Sequence, residues 1–193
     1  MQELVFASFN KHKVDEIQLL LGNSYKVSVP SDYGIHSDIP ETGDTLSENA
    51  KIKGKYIHQL LALNCFSDDS GLEIEALDGK PGVHSARYAG DEKDSEKNID
   101  KVLYELSNLS NRNASFKTVI CLIYNNQTYE FVGVIKGEIL KERRGSNGFG
   151  YDAIFKPFGY ELSFAQMSSD QKASISHRAK AIEQLITFLK TVQ

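Results

Sequence analysis

Phe66-Ser67-Asp68-Asp69-Ser70-Gly71-Leu72 sets two adjacent carboxylates, a hydroxyl and a glycine between two apolar segments. On one side, Leu63 to Phe66 is a short apolar run; on the other, Leu72, Ile74 and Ala76 alternate with Glu73 and Glu75 as a half-buried strand does. Side chains alternate along extended backbone, so Asp68 and Asp69 are expected to point to opposite sides, one facing a cleft and the other supporting a turn. Gly71 allows a tight turn or a close approach to a ligand. Two like charges this close are costly unless a cation or hydrogen-bond donors offset them, and a hard divalent metal is the simplest candidate. Taken alone the stretch also reads as a plain turn, the reading that Asp and Ser by themselves favour.

The chain around it has 193 residues, 40% of them hydrophobic, which suits one sizeable core better than two small ones. A single domain over 1–193 is expected. With 22 basic and 26 acidic residues and a net charge of −4, no broad positive field points to nucleic acid or a membrane surface. Cys65 and Cys121 sit in apolar, strand-like runs without a CxxC partner, so buried free thiols in a reducing compartment are expected. The first residues lack a basic region ahead of a long apolar stretch, and nothing later approaches a membrane span. A soluble, unprocessed, cytoplasmic protein is the expectation.

Leu4 to Ala7 reads as a buried strand running into the polar, basic loop Ser8-Phe9-Asn10-Lys11-His12-Lys13. Val14, Ile17, Leu20 and Leu21 then recur at helical spacing until Gly22-Asn23. A basic loop between a strand end and a helix start suits an anion, although the glycines of a Walker A loop are absent. Lys26 to Val29 is a second strand. Thr45-Leu46-Ser47-Glu48 has capping-box spacing, and Leu46, Ala50, Ile57, Leu60 and Leu61 mark the apolar stripe of the helix it opens. Lys53 falls inside that stripe, whereas Lys51 and Lys55 point away. A lysine there either snorkels outward or faces something negative. Glu41, just ahead of the cap, is either a surface loop residue or a ligand reaching towards Asp69.

Farther on, Ile99, Val102, Leu103 and Leu106 mark an amphipathic helix, and Phe116 to Tyr124 and Thr128 to Ile135 form a hairpin. Gly145-Ser146-Asn147-Gly148-Phe149-Gly150-Tyr151-Asp152 is a flexible loop able to bring a ring against a planar ligand, although such rings also pack on cores. Ala153 to Phe155 is a short strand ended by Pro157, and Ser168-Ser169-Asp170-Gln171 caps another helix. His177 and Arg178 fall in or just before the first turn of the last helix, where cations are disfavoured unless an anion is present. Together with Lys172, they complete the candidate residues.

In order, Ser8-x-Asn10-x-x-Lys13, Glu41-Thr42-Gly43-x-Thr45, Glu48-Asn49-Ala50-x-x-Lys53, Asp68-Asp69-Ser70-Gly71-Leu72, Pro81-Gly82-Val83-x-Ser85-Ala86-Arg87-Tyr88, Gly148-Phe149-Gly150-Tyr151-Asp152, and Lys172 to Ser176-His177-Arg178 closely resemble the inosine triphosphate pyrophosphatase family, the XTP/dITP diphosphatases that remove non-canonical purine nucleotides. The resemblance spans nearly the whole chain. It implies an α/β fold, a single elongated domain with a long mixed β-sheet flanked by helices, and two lobes with a nucleotide cleft between them. It also implies a homodimer, a purine nucleoside triphosphate substrate cut between the α and β phosphates, and Mg²⁺ as cofactor. By position, Glu41 and Asp69 resemble the metal carboxylates, with Asp69 also the general base and Lys53 a catalytic cation. Ser8, Phe9, Asn10, Lys11, His12, Lys13, Lys53 and Ser70 resemble the triphosphate grip. Phe149, Gly150, Tyr151, Asp152, Lys172, His177 and Arg178 resemble the nucleoside site. Phe9 replaces a usual glycine, Leu46 a usual phenylalanine and Ala153 a frequent proline. Rival readings are a Maf-type pyrophosphatase and a nucleotide sensor without turnover; the glutamate-rich helix of a Nudix hydrolase is missing.

Overall fold

The structure, a computed structural model, describes residues 2–22 and 25–192. It is an α/β fold whose mixed sheet has the strand order β2-β1-β3-β4-β5-β6. Strand β1 (Gln2–Phe6) lies between β2 (Tyr25–Ser28) and β3 (Cys65–Ile74) and is parallel to both. A parallel strand covered on both faces has no polar side, which is why Leu4, Val5 and Phe6 are all fully buried. Both hairpin strands, β4 (Asn113–Tyr124) and β5 (Gln127–Ile139), form as expected. Asn125 and Asn126 both have positive φ at their turn, the conformation a two-residue hairpin loop demands.

The chain packs as two compact units, the first comprising Met1–Asp69, Thr118–Gly133 and His177–Gln193, the second Ser70–Lys117 and Val134–Ser176. In the first, helices α1 (Lys11–Leu21) and α5 (His177–Thr191) contribute Ile17, Leu21, Ala181, Ile182, Leu185 and Leu189 to a core shared with Leu4, Phe6, Phe66, Ile120 and Leu122. Phe6 and Phe66 stack there at 4.8 Å. In the second, α3 (Ser95–Glu105) lays Ile99 and Val102 on Leu72, Ile74, Ile135 and Ile139, and Phe116, Phe155 and Phe164 form an aromatic cluster.

Several expectations are corrected. Lys11 to Lys13 are not loop but the first turn of α1, because Asn10 caps that turn by accepting the Lys13 N–H. Gly22 ends the helix in a positive-φ conformation; Asn23, the other half of the expected stop, lies outside the described residues. Asp68 and Asp69 are not in a turn: β3 runs through them unbroken, since the buried cations described below neutralise them. Gly71 serves a close chain approach rather than a turn, since a Cβ there would lie 2.5 Å from the Gly82 carbonyl oxygen. The last strand is β6 (Phe155–Pro157), later than expected, because residues 150–153 form a 3₁₀ turn; Pro157 is tolerated on an outermost strand.

Helix α2 (Leu46–Leu61) opens on the expected capping box: the Thr45 hydroxyl accepts the Glu48 N–H, and the Glu48 carboxylate accepts the N–H groups of Thr45 and Asp44. Its stripe buries Leu46, Ala50, Lys53 and Ile57 but leaves Leu60 53% exposed, so the buried face ends a turn early. Thr45→Ala removes one arm of the box and is expected to cost about 1 kcal/mol, read as a lower urea midpoint at unchanged slope.

Candidate active site

Alternation along β3 decides the site. Phe66 lies in the α1/α5 core, and two residues on, Asp68 turns to the same helices: Lys13 Nζ of α1 donates to its Oδ1 at 2.8 Å and Arg178 of α5 donates to its Oδ2 from Nε and Nη2 at 3.4 Å. Arg178 Nη1 also bonds Glu16 of α1. Cys65, Ser67 and Asp69 turn instead to α2. There Cys65 Sγ donates to Gly54 O at 3.3 Å, Ser67 Oγ donates to Ala50 O at 2.5 Å, and Lys53 Nζ donates to Asp69 Oδ1 at 3.0 Å. The same ammonium donates to Glu41 Oε1 at 2.7 Å, so Glu41 and Asp69 share one cation. The lysine on the apolar stripe does not snorkel: it is only 6% exposed and faces carboxylates, whereas Lys51 lies on the open side with Glu130.

Electrostatically this is one cluster of four carboxylates, buried Asp68 and Asp69 and half-buried Glu16 and Glu41, and three cations, Lys13, Lys53 and Arg178. Burial opposes the charge on Asp68, but Lys13, Arg178 and Lys53 together outweigh it and hold its carboxyl far below the ordinary carboxylate range. Asp69 goes the other way: burial dominates over the pull of Lys53 and Lys13, and its carboxyl is raised. Lys53 also suffers burial, yet Asp69, Asp68 and Glu41 overcome it and keep the ammonium charged. The two neighbouring carboxyls are thus pushed in opposite directions by their surroundings.

In the second unit, Lys172 of α4 (Ser169–Ile175) donates to Asp152 Oδ2 at 2.6 Å, and that oxygen also accepts the Phe149 N–H at 2.9 Å. Lys172 Nζ lies 4.9 Å from the centre of the half-buried Phe149 ring. Tyr151 is buried among the core residues and its hydroxyl donates to Ser85 O at 2.8 Å, so the ring belongs to the packing and not to an open loop. Gly150 turns the chain at positive φ between them, and Ser70 is half-buried at the start of this unit. Lys13, Glu41, Lys53, Asp69 and Arg178 are therefore linked by ion pairs to one another or to Asp68 in the first unit, which also holds His177, and Phe149, Asp152 and Lys172 meet in the second. Ser8, Asn10, Lys11 and His12 stay near the start of α1, where Ser8 Oγ accepts the Asn10 N–H and Phe9 is 43% exposed.

The anions that accommodate Arg178 at the start of α5 are the protein's own Asp68 and Glu16, where the sequence pointed to a ligand. Glu16 was missed. Its signal was its place three residues after Lys13, on the same face of α1. Both cysteines are buried free thiols, with burial pushing Cys65 up to about 12 and Cys121 up to about 11.

A buried lysine of α2 bridging Glu41 and Asp69 beside a mixed α/β sheet is a charged site of the kind hydrolases of phosphate anhydrides can use. Residues 4–188 match the Ham1 family, and the chain belongs to that family. The dITP/XTP pyrophosphatase of Flavobacterium psychrophilum is 53% identical over 188 residues, 97% of this chain and 99% of that one. Among solved structures, the Ham1 protein of Staphylococcus aureus is 40% identical with a TM-score of 0.90, each chain being covered completely. A HAM1 protein from Coxiella burnetii is 42% identical, also at 0.90, over 99% of this chain and 100% of its own. The motif resemblance drawn from the sequence is thus borne out.

Proposed function

We propose that this protein hydrolyses non-canonical purine nucleoside triphosphates, ITP, dITP and XTP, between the α and β phosphates. The observation that carries this reading is Lys53, buried in α2 and shared by Glu41 and Asp69. Asp69, with its raised carboxyl, takes a proton from water as the water oxygen attacks the α phosphorus. The bond from that phosphorus to the bridging oxygen breaks, and pyrophosphate leaves with the electron pair. Lys53 and Lys13 offset the growing charge on the departing group, and Asp68 holds Lys13 in place.

Glu41 and Asp69 suit Mg²⁺: both are hard oxygen donors gathered on one cation, in a cluster with one more carboxylate than cations. Glu41 and Asp69 are the two side chains that would hold the ion. When bound, the ion supplies positive charge to the phosphate oxygens.

For the base, Phe149 offers a ring to stack on, held by the Asp152 contact to its N–H, with Lys172 beside it. His177 and Arg178 supply donors for the 6-keto oxygen common to inosine and xanthine. The 6-amine of ATP leaves such donors unpaired, which is enough to discriminate. Ser8 to His12 and Ser70 complete the phosphate contacts, and Gly150 and Tyr151 shape the Phe149 turn. The chain works as one catalytic domain, as a cytoplasmic homodimer that removes damaged purines from the nucleotide pool. Among the described residues no helix is long and apolar enough to cross a membrane.

Incubation with ITP and Mg²⁺ is expected to release inosine monophosphate and pyrophosphate in equal amounts. Orthophosphate as the sole phosphate product would assign the chain to another phosphatase class.

A further inference from the structure

We propose that Gly133 is a positioning residue: its missing side chain lets the first turn of α5 sit on the β5 backbone, and this placement sets the reach of Arg178 to Asp68. A Cβ at Gly133 would overlap the His177 carbonyl oxygen outright and would lie 2.7 Å from Ala181 N and 3.0 Å from the His177 carbonyl carbon. His177 and Ala181 are one helical turn apart and span Arg178. Any side chain at 133 therefore displaces that turn as a body, and helix backbone, unlike a flexible side chain, cannot rotate away. A second tie joins the same helix to the same strand one turn farther along, since Gln184 Nε2 of α5 donates to Val132 O at 2.7 Å. Arg178 has no slack to absorb a shift. It is 1% exposed, and its two bonds to Asp68 are already 3.4 Å long, near the end of hydrogen-bond range. Glycine in a strand interior weakens the strand by entropy and lost packing, and close backbone approach is the compensating use.

The effect on substrate choice rests on the reading of Arg178 as a base-recognition donor; the effect on geometry does not. Two readouts therefore accompany Gly133→Ala. The first is the ratio of kcat/KM for ITP to that for ATP, expected to fall at least about tenfold while a cooperative melt is retained. The second is the Arg178 Nε–H signal in nitrogen-15 NMR, assigned by its loss in Arg178→Lys, expected to shift or broaden. An unmoved Arg178 signal with an unchanged ratio overturns the proposal. A moved signal with an unchanged ratio upholds the positioning and refutes only the base-recognition role. An unchanged signal with a lower ratio also overturns it, since the effect then bypasses Arg178. Should Gly133→Ala not fold, Gln184→Ala, which loosens α5 on β5 one turn beyond Ala181 without added bulk, decides by the same signal: a shift supports the proposal and an unmoved signal overturns it.

Discussion

Asp69→Asn is expected to lower kcat for ITP by about 10³-fold while leaving nucleotide affinity nearly intact. The amide oxygen still accepts from Lys53 Nζ, now 3.0 Å from Asp69 Oδ1, and the volume is unchanged, so the strand and α2 keep their places. What disappears is the group whose proton affinity burial has raised. Pyrophosphate release measured alongside ITP calorimetry separates the two effects, and a variant within about fivefold of the parent kcat would remove Asp69 from the role of base. The corresponding change at Asp68 acts differently, because Asp68 is locked by Lys13 and Arg178 and held permanently charged.

Lys53→Met is expected to cost about 10²- to 10³-fold in kcat, comparable to removing one preorganised donor from a site of developing negative charge. The substitution keeps the length of the aliphatic stem but strips the ammonium from between half-buried Glu41 and buried Asp69, leaving two carboxylates without their shared cation. Breaking such a pair destabilises by about 3–5 kcal/mol, so the melting temperature must be followed and the rate taken well below it. Lys51→Met is the control: two residues away on the same helix, its ammonium pairs with Glu130 on the open side, and an exposed pair contributes only about 0–1 kcal/mol. Its kcat is expected to stay within about twofold of the parent. Equal losses in the two variants would refute the assignment of Lys53 by its place on the apolar stripe.

Much of the site was legible because it rests on local periodicity. The capping box at Thr45 set the phase of α2, and once the phase is known the 3.6-residue repeat puts Lys53 among Ala50 and Ile57 and sends Lys51 outward. The same logic on β3 separated Asp68 from Asp69. Where local preference and tertiary context disagree, the residues misled. Asp-Asp-Ser-Gly favours a turn by its own hydrogen bonding, yet it is strand, because Lys13, Lys53 and Arg178 arrive from three separate helices and supply the donors a turn would otherwise provide. Tyr151, in a glycine-rich loop, looked free to meet a ligand; it is core, fixed by a bond to Ser85, more than sixty residues away in the chain.

By itself the sequence determined the α/β class, the family, the element order and which face of each helix and strand carries charge, since those follow from composition, caps and the 2.0- and 3.6-residue periods. Tertiary structure alone decided which charges meet: that Lys53 joins Glu41 to Asp69, that Arg178 finds Asp68 and Glu16, and that Gly133 lies under α5. Pairings across 12 to 162 positions of chain depend on how helices settle onto a sheet, and no local pattern encodes that packing.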